Sequence, residues 1–302
     1  MGSFARLTGG MAAAALAGVA VAAAPSAALA QVSAPSATVV LPCSTSALVT
    51  AIQQANLSTT PTTIVLQRSC DYSVFTPAVA GTAFPTITKS ITLSGGPGTV
   101  LSRSQFAVLN FRVLDVGATG NLTVTGVTIR NGSTAGLGGG IQNAGRLTVG
   151  SSTITQNNAG NGGGVANLAG ATASISSTLI SQNTTTGVGG GGIINSGFLT
   201  VFQGNILSNT APINGGGVNT QAGGISNINQ TSVNNNVSGS LGGGLSNLGT
   251  TNLNGSQVRR NQASAGGGIA TGNTNVHLVS TIVRDNTPDN CSPLNSIPGC
   301  SG

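Results

Sequence analysis

The chain has 302 residues and a formal net charge of +6, yet only 5% of its residues are charged, while glycine occurs 47 times. Ordinary domains carry about 25% charged residues, so a conventional charged-surface globule is excluded; the abundant Val, Ile and Leu and a mean hydropathy of +0.26 exclude a disordered chain. The positive residues are dispersed arginines with no run and no interleaved aromatics, which removes support for nucleic-acid binding.

Residues 1–30 read as a cleaved signal peptide. Arg6 is followed by a small apolar run over 11–23, and Ala28 and Ala30 fit the A-x-A cleavage pattern, making Gln31 the first mature residue. Removing Arg6 takes the formal charge from +6 to +5. No later apolar run is long enough to cross a bilayer. The mature protein is therefore expected outside the cell or at the cell envelope, as a monomer with no transmembrane segment.

Residues 31–85 are expected to form an N-terminal cap. Within them, 44–56 predicts a short amphipathic helix with Leu48, Ile52 and Ala55 on one face and Ser44 as N-cap. A strand over 63–66, ending near Cys70, comes after it. Asp71 then falls in the same lid. Four cysteines, Cys43, Cys70, Cys291 and Cys300, allow three disulfide pairings that sequence does not distinguish. Their placement favours two local bridges, Cys43–Cys70 and Cys291–Cys300, one bracketing each end. C-x₈-C spacing with one distant His lacks the pattern of a zinc site, so no metal and no cofactor is expected.

The first coils are read over 86–94 and 111–116, and the repeat region runs over 86–287. One column is an apolar residue, a second five later, then Asn three after that. It reads Val149, Ile154, Asn157; Ile175, Ile180, Asn183; Val201, Ile206, Asn209; Ile228, Val233, Asn236; Leu253, Val258, Asn261; and Leu278, Val283, Asn286. Val124 and Ile129 open the series, with Asn131 one place early. Successive first positions are 25, 26, 26, 27, 25 and 25 residues apart. In phase with it, glycine triplets beginning at 138, 162, 190, 215, 242 and 266 each precede an apolar residue, usually with Asn two further on, as at Asn143 and Asn167.

Such a period predicts a solenoid. Side chains alternate along a strand, so two inward positions five apart require a turn between them. Each coil is thus expected to carry three short strands and three bends, with like residues stacked about 4.8 Å apart. The glycine triplets are expected to supply positive φ, and the column asparagines to sit in left-handed bends and stack their amides as a structural ladder. Ser152, Thr178, Thr231, Ser256 and Thr281 form a further inward polar stack. Parallel crossovers prefer the right hand, so the fold class is an all-β, right-handed parallel β-helix with a short capping helix. Residues 288–302, with Pro288, Pro293 and Pro298, form a tail folded over the last coil.

Gly-Gly-Gly-Ile-x-Asn followed by Leu-Thr-Val-x-x-Ser-x-Ile-x-x-Asn resembles the right-handed β-helix repeats of secreted bacterial proteins, including the polymorphic outer-membrane protein and autotransporter-passenger type, within the pectin-lyase-like superfamily. The resemblance covers about residues 86–286. It implies the fold, and a role among adhesins, surface proteins and, more distantly, polysaccharide lyases.

A catalytic centre is not visible. Glycosidases on such folds use paired carboxylates, and lyases use acids to hold calcium with a basic residue as base. This chain has four acids, Asp71, Asp115, Asp285 and Asp289, and no D-x-D pair. Asp115 near Arg112 reads as a local ion pair or a turn residue. Register predicts a pair between Arg260 and Asp285, with Arg259 and Arg284 in the neighbouring column, where they repel unless splayed into solvent; an anion-binding patch is the lesser alternative there. His277, the only histidine, falls in an outward column with Thr123, Thr148, Ser174, Thr200, Asn227 and Asn252. The reading leans away from catalysis, toward a structural, adhesive or surface-binding role with a polysaccharide or cell-surface protein as partner; a polysaccharide-active enzyme is the alternative. Arg112, Asp115 and Arg130 converging in one groove would favour that alternative.

Overall fold

The computed structural model describes Met1, Gly2 and residues 37–300; the signal-peptide reading of residues 1–30 lies outside these. Residues 37–300 belong to the compact unit Ala34–Gly302 and form a parallel β-solenoid of about ten turns. Sheet A has ten strands, sheet B nine and sheet C eight, and every strand-to-strand register in them is parallel. A fourth, four-stranded sheet of two-residue strands, from Asn158–Ala159 to Val237–Ser238, adds a short side to the middle coils. That side is silent in the sequence, because two residues are too few to show alternation.

The stacking register follows the sequence columns. Val124, Val149, Ile175, Val201, Ile228, Leu253 and Leu278 align in sheet A. Ile129, Ile154, Ile180, Ile206, Val233, Val258 and Val283 align in sheet B. These two files and a third in sheet C, Leu114 to Ile269, meet inside the coil. Nearly all their members are fully buried, each worth about 1.5–3 kcal/mol relative to exposure.

The bends correct two local expectations. The ladder asparagines are not left-handed; the residue before each one is, as at Gln156 (φ 55°), Gln182 (φ 55°) and Ser208 (φ 55°). Asn131 (φ 62°) takes that bend place rather than the ladder place, and Gly132 behind it donates its N–H to Asn157 Oδ1 at 2.9 Å. In each triplet only the first glycine has positive φ, Gly162 (φ 64°) for example. The other two are required for a different reason: a Cβ on Gly163 would stand 2.6 Å from the Gly191 carbonyl oxygen of the next coil.

The asparagine ladder is continuous. Asn183 Oδ1 accepts from both Asn157 N and Asn157 Nδ2, at 3.1 and 3.0 Å, while Asn183 Nδ2 donates to Asn209 Oδ1 and to the Ile154 carbonyl. The pattern repeats through Asn209, Asn236, Asn261 and Asn286. Beside it, Ser152 N donates to Thr178 Oγ1, Thr231 N to Ser256 Oγ, and Ser256 N to Thr281 Oγ1.

Both ends are dressed. The helix Thr45–Leu57 starts where Ser44 Oγ accepts from Ala47 N, and it buries Leu48, Ala51, Ile52 and Ala55. Ahead of it, Ala37–Val40 adds an unforeseen outermost strand to sheet A. Cys43 is bonded to Cys70, and Cys291 to Cys300. The tail does more than fold over: Asn290 Oδ1 accepts from Asn286 N and Nδ2, standing where a next coil's asparagine would be, and Cys291–Ser292 extends sheet C. Its prolines flank this short strand instead of interrupting it.

Candidate functional site

The charged residues fall into separate places. Arg112 and Asp115 lie at the sheet C side, 3.9 Å apart. Asp115 ties three coils together, accepting from Thr86 Oγ1 (2.8 Å) and Gln142 Nε2 (2.9 Å). Arg112 Nε donates to the Leu137 carbonyl. Both groups are consumed by the scaffold. Arg130 lies on sheet B and pairs with a different acid, so Arg112, Asp115 and Arg130 share no groove.

The expected Arg260–Asp285 ion pair does not form. Both residues sit at a left-handed bend (φ 52° and 58°), where their backbones bond, Arg260 N to the Asp285 carbonyl at 3.1 Å. The Asp285 carboxylate turns to Arg284 of its own coil, 3.6 Å away, and both side chains are more than half exposed. Arg259 and Arg284 do align in sheet B. His277 stands at the end of an outward sheet A file that begins at Thr38, Thr63 and Thr92 and continues through Thr123, Thr148, Ser174 and Thr200.

Asp71 is the residue the sequence misplaced. It does not belong to a lid; it opens the strand Asp71–Val74, the first of sheet B. Tyr72, Leu101 and Ile129 align inward there, so Ser73, Ser102 and Arg130 form one outward file over three successive coils, and Asp71, two residues before Ser73 on the same face, reaches across to it. Asp71 Oδ1 accepts from Ser102 Oγ at 2.7 Å and Asp71 Oδ2 from Arg130 at 2.8 Å. Tyr72 fixes the strand from inside: its hydroxyl accepts from Gln67 N and donates to the Pro42 carbonyl.

A polar cleft of about 210 Å³ opens over this group, bordered by Ser73, Gln105, Phe106 and Asn131. Its rim is held by Arg103. That guanidinium donates to the Ala107 and Leu109 carbonyls and lies 5.4 Å from the centre of the Phe111 ring. Partial burial lowers its pKa from the ordinary arginine value, which still leaves it cationic at neutral pH. Arg103 thereby locks the loop 104–110, and Phe106 projects from it three-quarters exposed. An exposed ring on a pinned loop beside hydroxyl, amide, guanidinium and carboxylate groups can stack on one face of a ligand and hydrogen-bond its edge.

Chemically the cleft is short of a catalytic set. Asp71 is its single carboxylate, and that carboxylate is already bonded to Ser102 and Arg130. Among the described residues no cluster of His, Cys, Asp or Glu is arranged to hold a metal ion, and no helix is long and apolar enough to cross a membrane. Comparison with family models, curated proteins and solved structures finds no match for this chain.

Proposed function

We propose that this is an exported, non-catalytic β-helix that binds a surface glycan through the sheet B cleft. The observation that carries the reading is the pinned, exposed Phe106 beside Asp71, Ser102, Gln105 and Arg130 in one cleft. Sugars are bound by an aromatic face together with planar hydrogen-bonding groups, and the cleft is on the scale of a sugar ring. Two-carboxylate hydrolysis needs a second acid, which the cleft lacks. Two disulfides fit an oxidising location outside the cytosol, in keeping with a cleaved leader over residues 1–30 and an extracellular or envelope-associated monomer.

The test is a glycan array on the mature protein, followed by calorimetry on any ligand found. Phe106→Ala and Arg130→Met should each weaken binding by about tenfold or more, a loss of about 1.4 kcal/mol, whereas Phe202→Ala, on sheet A, should leave it unchanged. Binding that survives both cleft variants would remove the assignment. New reducing ends released from the bound polysaccharide would replace it with an enzymatic one.

A further inference from the structure

The loop that carries Phe106 holds more apolar surface than the cleft uses. Val108 is 87% exposed and Leu109 57%. Arg103 donates to the carbonyls on either side of Val108, and Ser104 accepts from the N–H groups of Phe106 and Ala107, so these side chains are held outward on a fixed backbone. The corner loop of the preceding coil adds Phe75 and Val79, also exposed. The two loops lie side by side: Ser104 N bonds to the Val74 carbonyl where they begin, and Arg112 N to the Gly81 carbonyl where they end. An apolar crest thus starts at Phe106, on the lip of the cleft, and spreads over both loops.

The scaffold does not ask for this crest. Two coils further on, the same corner runs Asn157-Asn158-Ala159-Gly160-Asn161, small and polar. Exposed apolar residues gathered in one place mark an interaction surface. Their bareness indicates its kind. A side chain as exposed as Val108 stands clear of its neighbours, and a folded partner would need a socket cut for it. Hydrocarbon at a lipid surface closes round such tips without one.

We propose, resting on the glycan reading above, that the ligand of the sheet B cleft is the head group of a glycolipid. The sugar lies against Phe106, Asp71 and Arg130, and the hydrocarbon next to it lies against Val108, Leu109 and Phe75. The carboxylate and guanidinium of the cleft are already paired with each other, which suits an uncharged head. Because the polar cleft and the apolar crest meet at one residue, a molecule whose sugar and hydrocarbon are joined fills both at once.

Calorimetry tests this with the methyl and octyl glycosides of glucose, galactose, mannose and N-acetylglucosamine, the octyl forms kept below micelle formation. Octyl tetraethylene glycol, which has the chain without the sugar, is the control. An octyl glycoside should bind about tenfold more tightly than its methyl twin, because its methylenes leave water against the crest. In Val108→Ser/Leu109→Ser that gain should vanish while the methyl glycoside binds as before. Both side chains are exposed, so the thermal transition should stay in place. Equal affinity for the methyl and octyl forms, or a gain that survives the double substitution, would overturn this inference and leave the glycan reading standing. Octyl tetraethylene glycol binding as tightly as the octyl glycosides, or no glycoside binding at all, would overturn both.

Discussion

Ser226 Oγ lies 2.8 Å from Thr220 Oγ1, and this contact mends a coil in the middle of sheet C where the inner amide file is broken. Asn143 Nδ2 donates to Asn167 Oδ1, and Asn167 Nδ2 to Asn195 Oδ1, both at 2.8 Å. The next member is Thr220, which offers no amide. Asn195 Nδ2 turns instead to Ser226 Oγ at 3.0 Å, and Thr251 Oγ1 links Thr220 to Asn247 Oδ1. Ser226 and Thr251 follow Leu122, Leu147, Ala173 and Leu199 in the same file. Three departures from the repeat are thus one compensated unit.

Ser226→Ala should therefore cost about 1–2 kcal/mol, the penalty of a buried donor losing its acceptor. Restoring Thr220→Asn in that background should recover part of the loss, because the new amide can receive Asn195. A double-mutant cycle by chemical denaturation reads the coupling, expected at about 0.5 kcal/mol or more. Strictly additive effects would show that the two residues act independently.

Asn183 makes the ladder testable in a regular coil. Replacing it with Leu strands Asn157 N and Nδ2 and the Ile154 carbonyl at once, since all three bond to its amide. The expected destabilisation is about 3 kcal/mol or more, well above an ordinary surface change. An unaltered thermal transition for Asn183→Leu would mean that the ladder contributes nothing.

The two disulfides close loops of different size, with sequence separations of 27 and 9. Loop entropy alone makes the longer closure worth about 1 kcal/mol more. The Cys43–Cys70 bridge also joins the segment leading into the capping helix to the first strand of sheet B. A Cys43→Ala/Cys70→Ala protein should thus melt below a Cys291→Ala/Cys300→Ala protein. The reverse order in calorimetry would shift the weight of end-capping to the tail.

The regular coils were legible in the sequence because the apolar and asparagine columns recur at nearly constant spacing, so spacing alone gives the register of sheets A, B and C. Legibility failed where coils lengthen. Ile64, Leu93 and Val124 align in sheet A at separations of 29 and 31, and the extra residues hide that Tyr72, Leu101 and Ile129 are one file. Aligning those three would have stacked Ser73, Ser102 and Arg130 on the outer face, with Asp71 two residues away on the same face. The aim of a side chain at a bend is a different matter. Arg260 and Asp285 share a register position, yet the left-handed backbone there sends their charges apart.

Glycines of the repeat divide into two kinds that stability can tell apart. Gly223 has positive φ (80°) and nothing within 4 Å of the place a Cβ would take. Gly223→Ala should cost only the left-handed backbone strain, about 1 kcal/mol. Gly191 has no such backbone requirement, but its Cβ would stand 2.5 Å from the Gly216 carbonyl oxygen and 2.6 Å from that of Thr210. Neither contact is with a side chain that can move aside. Gly191→Ala must push two coils apart and break the Gly192 N to Gly216 carbonyl bond beside it, so its cost should be about 3 kcal/mol or more. Equal losses for the two variants would mean that conformational freedom, rather than the close approach of neighbouring coils, is what the triplets supply.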